Sequence, residues 1–150
     1  MTAIYEDAET VRAAVASVPH HIDTKRWDAL RALFAPEVRT DYTSLFGGSP
    51  QAQARDALVE GWRGLLGKVA TQHLLGPVTV DVAGTGARAA CHVRALHHAA
   101  PAPGGPLWEV LGHYEFELVR VGPAWQISSL TLRVLVQTGN ARLLEEAQRT

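Results

Sequence analysis

Three kinds of side chain in this sequence could move protons. They are the carboxylate of Asp23, the phenol of Tyr42 and the imidazoles of seven histidines, His73 and His98 among them. A carboxylate beside an imidazole orients the ring and stabilises its protonated form, so such a histidine can take a proton from carbon next to a carbonyl. A phenol donates a strong hydrogen bond while staying neutral. Each residue also has an ordinary structural reading. Asp23 stands just before a helical pattern, where aspartate is a favoured cap. His73 suits a core position, His98 a solvated hairpin end, and Tyr42 a half-buried strand.

Other chemistries find less support. Seven histidines and Asp23 could supply imidazoles and a carboxylate to a metal. No His-x-x-x-His or paired-cysteine spacing accompanies them, and no metal site is assigned. Cys91 adjoins His92, but neighbouring strand residues face opposite sides, which excludes a nucleophile dyad. Gly84-Thr85-Gly86 reads as a turn rather than a phosphate-cradling loop.

The elements that must position these groups follow from period and punctuation. Val11, Val15, Val18 and Ile22 repeat at helical spacing and predict a first helix over roughly residues 7 to 21, with Pro19 kinking or breaking it near its end. Trp27, Leu30 and Phe34 mark one face of a short second helix that Pro36 stops, and residues 38–44 read as extended. Gly47-Gly48-Ser49-Pro50 predicts a turn, a serine N-cap and a first-turn proline. The helix that follows carries Leu58, Trp62, Leu65 and Leu66 on one side and ends near Gly67.

Four β-rich segments come next, about residues 70–82, 87–98, 107–121 and 124–137, separated by Gly- and Pro-rich turns consistent with antiparallel connections. Trp108, Val110, Tyr114, Phe116 and Leu118 share one face of the third, and Glu109, His113, Glu115 and Glu117 the other. In the second, His92 and His98 share a face and His97 opposes them. Asp41 points away from Tyr42 and reads as structural. Leu143 and Leu144 anchor a short terminal helix. Helices followed by long antiparallel strands predict an α+β fold with helices on one sheet face, in a single domain over residues 1–150.

Composition bounds the partners. The chain has 150 residues, 47% of them apolar and 19% charged, with a formal charge of -1. That suits one globular domain with a real core, and offers no basic face for nucleic acid. No apolar run is long enough to span a bilayer. The single cysteine forms no intrachain disulfide. The N-terminus has neither a basic start nor an apolar run, so a cytoplasmic protein is expected.

Residues 22–44 carry a longer pattern: Asp-Thr-Lys-Arg-Trp-Asp-Ala-Leu-Arg, then Ala-Pro, then Arg-Thr-Asp-Tyr-Thr-Ser. With Thr71-Gln72-His73 and the stretch from His92 to His98, this closely resembles scytalone dehydratase. That family is a fungal branch of the NTF2-like superfamily, which includes SnoaL-like polyketide cyclases and ketosteroid isomerases. The match is dense over about a third of the chain.

The resemblance implies a cone-shaped domain, its curved antiparallel sheet wrapped by three N-terminal helices plus a short C-terminal one, with a pocket in the mouth. It implies that Asp23 hydrogen-bonds His73, that His73 is the base, and that Tyr42 polarises the substrate carbonyl directly or through a water. His98 follows His73 at the family's interval and takes the place of its second catalytic histidine. Trp27, Trp62, Trp108, Tyr114 and Phe116 are the expected substrate-binding aromatics. Two departures matter. Ile22 replaces a family tyrosine, and Tyr114 and Phe116 lie near positions where the family has a serine and an asparagine. A greasier substrate than scytalone is expected, and a C-terminal lid that is shorter or absent.

The function so implied is a cofactor-independent, metal-independent dehydratase acting on a small, hydrophobic, cyclic hydroxy-carbonyl compound of polyketide or aromatic type. Isomerisation or cyclisation by the same groups, and a non-catalytic ligand-binding module, are the alternatives. A homodimer or higher homo-oligomer through the outer sheet face is expected.

Overall fold

The computed structural model describes residues 2–150. Its order is α1 (Thr2–Asp23), α2 (Trp27–Ala32), β1 (Phe34–Asp41), α3 (Thr43–Phe46), β2 (Gln51–Ala54), α4 (Arg55–Leu66), β3 (Ala70–Leu75), β4 (Thr79–Ala83), β5 (Gly86–His98), β6 (Leu107–Val121), β7 (Ala124–Gly139) and α5 (Leu143–Gln148). The strands form one curved, unclosed sheet in the order β2-β1-β7-β6-β5-β3, with β4 also on β5. Helices pack against its inner face, giving the α+β architecture expected.

The apolar stripe of α1 drives that packing. Val11, Val15, Val18 and Ile22 are all buried against the sheet, each worth about 1.5–3 kcal/mol of transfer free energy. Burial on both sides of Pro19 carries the helix across it, and α1 continues unbroken to Asp23. What ends α1 is the reversal at Lys25, whose φ of 57° is left-handed. The Arg26 amide then donates back to the His21 carbonyl at 2.8 Å, as helix C-terminal turns do.

Several expectations about the elements change, and the extended run expected over residues 38–44 ends at Asp41, with Thr43 and Ser44 already in α3. Pro36 does not stop α2, which ends at Ala32, but lies within β1 where its register on β7 shifts and a missing N–H is tolerated. Ser49 does not cap a helix. A short strand, β2, intervenes, and α4 begins after Ala54. The expected strand over residues 70–82 breaks at Gly76-Pro77 into β3 and β4, which pair with opposite halves of β5. Finally, β1 runs parallel to β7, so one rung of the sheet is not antiparallel. The alternation in β6 holds: Trp108, Val110, Tyr114, Phe116 and Leu118 are buried, while His113, Glu115 and Glu117 face out.

Two bulges curve the sheet. Leu111 pairs with Val136 and Gly112 with Val134, leaving Leu135 unpaired, and Ser128 is extra at the second shift. At the first bulge the strands approach so closely that a Cβ on Gly112 would meet the Arg133 carbonyl oxygen at 2.0 Å. Gly112→Ala is therefore expected to cost roughly 2–4 kcal/mol, since backbone must shift. Gly64, on the exposed side of α4, has open space around it, and Gly64→Ala should stabilise by up to about 1 kcal/mol. Urea unfolding of the two variants checks both signs.

Candidate active site

Asp23 is the last residue of α1, and the turn at Lys25 leaves its carboxylate facing β3. Three donors from β3 converge on it. The His73 backbone N–H reaches Oδ2 at 2.8 Å, the Thr71 hydroxyl reaches Oδ1 at 2.8 Å, and His73 Nδ1 lies 2.6 Å from Oδ1. Burial opposes ionisation of Asp23, but the hydrogen bonds and charge from His73, with Thr71, outweigh it and hold the carboxyl below its ordinary pKa. An ionised carboxylate can only accept, so Nδ1 of His73 carries a proton toward it, and in the neutral ring the lone pair is then on Nε2. The His73 side chain is 6% exposed and that of Asp23 18%. Asp23 does not cap α2, which has Arg26 at its N-cap.

Lys25 ties the same corner together. Its ammonium donates to the carbonyls of Leu66 at 2.8 Å and Val69 at 2.6 Å, where α4 ends and β3 is about to begin. Burial lowers its pKa, against the pull of Asp23. The turn that presents Asp23 and the strand that presents His73 are thus joined by one side chain.

His73 opens onto a cavity of about 270 Å³ enclosed by β1, α4, the sheet and α5. Its walls are mostly apolar, among them Ile22, Trp62, Trp108, Leu132 and Leu144. Leu144 comes from α5, so the chain's C-terminal helix closes part of the mouth. Glu146 holds that helix in place, accepting from the Asn140 side chain at 2.9 Å and the Gly104 amide at 3.1 Å. Tyr42 and Tyr114 line the cavity, as expected of an activating phenol and a substrate-binding aromatic. Among the described residues, no three His, Cys, Asp or Glu side chains cluster as metal ligands.

Three expected site residues fall elsewhere. His98 is exposed at the end of β5 and faces away from the cavity, because alternation turns it outward. Its neighbour His97 is the buried, cavity-lining histidine, with its ring 6.0 Å from that of His73. Trp27 packs at the edge of the core beneath the Lys25 ammonium and does not reach the cavity. Phe116 is buried behind Tyr114, edge-on to its ring at 5.6 Å, one inward position deeper along β6.

His97 was legible from parity. Along β5 the small or apolar residues Ala89, Cys91, Val93 and Ala95 share its face, which marks that face as the inner one. Its Nδ1 lies 3.3 Å from the Trp108 carbonyl oxygen. A carbonyl only accepts, so Nδ1 carries the proton and Nε2 remains an acceptor. Burial pushes His97 down to about 4, with His73 adding to the effect and the Trp108 carbonyl opposing it. The site therefore combines one charge-backed imidazole, one neutral imidazole and two neutral phenols in an apolar chamber.

A family model described as a SnoaL-like domain matches residues 3–131. The Kfla4162 protein from Kribbella flavida has a similar structure, with a TM-score of 0.88 and 25% identity over 95% of this chain and 99% of that one. A candidate scytalone dehydratase from Novosphingobium aromaticivorans follows at TM-score 0.78 and 23% identity, covering 93% and 92%. A type 2 hexachlorocyclohexane dehydrochlorinase shares the fold at TM-score 0.77 and 12% identity, covering 91% and 90%. No curated protein matches the sequence. Residues 3–131 span most of the chain, and with them matched by that model the chain belongs to the SnoaL-like domain family.

Proposed function

We propose that the protein is a cofactor-independent lyase that removes water from a small cyclic hydroxy-carbonyl compound of polyketide-like character, with Asp23 and His73 as its base. The observation that carries this reading is the 2.6 Å Asp23–His73 contact at the wall of an apolar cavity. Two fold relatives bear names for the loss of water and of hydrogen chloride, both eliminations in which a base removes a proton from carbon.

His73 Nε2 takes the proton α to the carbonyl, and the C–H electron pair moves into an enolate whose oxygen Tyr42 stabilises by hydrogen bonding. Asp23 stabilises the imidazolium so formed. The enolate then expels the β-hydroxyl, which needs a proton to leave as water. His98 faces outward and has no part in this. His97 is neutral with its Nε2 an acceptor, so it can hold the hydroxyl but has no proton to give. The proton that His73 collected is the one returned, and departure occurs on the face from which it was taken. Returned to another carbon instead, the same proton gives isomerisation.

A bicyclic ketone such as 2-tetralone tests the base without the natural substrate, through exchange of its α-protons in deuterated water followed by NMR. The protein should accelerate exchange, and Asp23→Asn or His73→Ala should each slow it by roughly two to four orders of magnitude. The double variant should lose little more, since the pair acts as one unit. Fully additive losses, or exchange that survives His73→Ala, would sink the dyad. Binding of the ketone with no accelerated exchange would favour a ligand-binding module.

His97 gives a second check. Its folded pKa of about 4 lies below the ordinary 6.5, so the unfolded chain takes up a proton that the folded protein refuses. Its contribution to stability is complete above pH 6.5 and lost as pH falls through 4, on the order of 3 kcal/mol in all. His97→Phe should flatten the decline in urea stability between pH 7 and 4 by about that amount.

The outer sheet face is expected to pair with a second copy of the chain, since Leu74, Leu135 and Val136 are exposed there. Light scattering at high micromolar concentration should give a dimer or larger, and a monomer would end that expectation.

A further inference from the structure

The cavity draws polar side chains from both ends of the sheet. His73 and His97 come from β3 and β5 at one end of the strand order, and Thr40 and Gln53 from β1 and β2 at the other. Gln53 pairs with Val38, and Gln51 with Thr40. Paired residues on neighbouring strands share a face of the sheet. Val38 and Thr40 are buried, so Gln53 stands on the inner face of the edge strand.

Neither Thr40 nor Gln53 spends its hydrogen-bonding capacity on the protein. Gln51 donates its side-chain amide to the Ser49 carbonyl at 3.0 Å, whereas the side chains of Gln53 and Thr40 have no such partner among the described residues. Thr40 is only 6% exposed, yet the one sealed side-chain atom without a partner among those residues is His21 Nδ1. The Thr40 hydroxyl is therefore open to the cavity rather than locked in the core. Beyond it the space continues. A second hollow of about 260 Å³ is bordered by Thr43, Ser49 and Gln51, and shares Thr40, Tyr42 and Phe46 with the main cavity.

We infer that Thr40 and Gln53 form a second recognition site in the cavity, one that binds a neutral hydroxyl on the part of the ligand remote from the carbon that His73 deprotonates. Among the described residues lining the cavity there is no Lys, Arg, Asp or Glu. A charged substituent would enter with no counter-charge to meet it, at high desolvation cost. A carbonyl or ether oxygen only accepts. The Gln53 amide and the Thr40 hydroxyl each donate and accept, and a ligand hydroxyl uses both capacities, donating to Gln53 Oε1 while accepting from Thr40 Oγ1. An apolar substituent would cover these groups and leave them unpaired, which is unfavourable. The hollow beyond Thr40 gives room for the hydroxyl to sit directly on a ring or on a short arm. This deepens the proposed dehydration by adding a requirement on its substrate: besides the hydroxyl that departs, the molecule bears another that is retained. It rests on that reading only for which end of the ligand reacts.

The test uses two pairs of 2-tetralones that differ only at the remote end, 6-hydroxy against 6-methyl and 6-(2-hydroxyethoxy) against 6-propoxy. Members of a pair match in shape, and all four are neutral at pH 7, where calorimetric titration gives their affinities. In at least one pair, Gln53→Met and Thr40→Val should each weaken the hydroxyl member roughly three- to tenfold, the effect of losing one neutral hydrogen bond. The apolar member should stay within about twofold or tighten, which also verifies that the cavity is intact. Thr40→Ser should retain the affinity for the hydroxyl member. Hydroxyl affinity that survives either substitution in both pairs would overturn the inference, as would equal weakening of both members or wild-type protein that binds none of the four. Because this readout is affinity and the dyad is read by proton exchange, either proposal can fail while the other stands.

Discussion

A carboxylate at the C-terminal end of a helix is in the wrong place by simple electrostatics. The backbone carbonyls there present partial negative charge, which favours cations. Asp23 occupies that position at the end of α1 and is also partly buried. It remains ionised only because β3 delivers an amide, a hydroxyl and an imidazole to it. The rest of the site follows from meeting that need. Lys25 must reverse the chain so that Asp23 faces the sheet, and its ammonium must tie that turn to the start of β3. In satisfying Asp23, His73 is left with one tautomer and one free nitrogen.

The cavity exists because the wall opposite the helices is built from small side chains. The inner face of β5 carries Ala87, Ala89, Cys91, Val93 and Ala95 before it reaches His97. Two bulges bend β6 and β7, and the sheet curls around the space those residues leave. Large residues from α4 and β6, chiefly Trp62 and Trp108, then narrow it without filling it. Cys91 fits this account as part of a packed wall. Burial raises its thiol to about 11, so it stays protonated and unreactive.

The two cavity histidines show how similar side chains acquire opposite roles from the atom each one faces. His73 meets a carboxylate, which stabilises a positive ring. His97 meets a carbonyl in a desolvated position, which leaves it neutral. Both line the same cavity. One is suited to take a proton and the other to accept a hydrogen bond.

Local pattern was enough to establish much of this. The 3.6-residue period of Val11, Val15, Val18 and Ile22 identified the buried face of α1, and the two-residue period of β6 separated Trp108, Val110 and Tyr114 from Glu109 and His113, because a side chain's direction follows directly from backbone geometry. The pattern around Asp23, Tyr42 and Thr71-Gln72-His73 singled out the dyad and one phenol. Parity along β5 already set His97 against His98, and the small or apolar residues on the His97 face were a signal for the inner side that the resemblance carried by His98 outweighed. Choosing between adjacent histidines required the packed sheet, since burial is a property of what lies across from a residue. The same holds for Trp27 and Phe116, aromatic and correctly spaced, which lie outside the cavity although β6 lines it with Trp108, Val110 and Tyr114. The parallel register of β1 on β7 was beyond sequence altogether: it is a contact between segments about ninety residues apart, and only tertiary structure decides such a register.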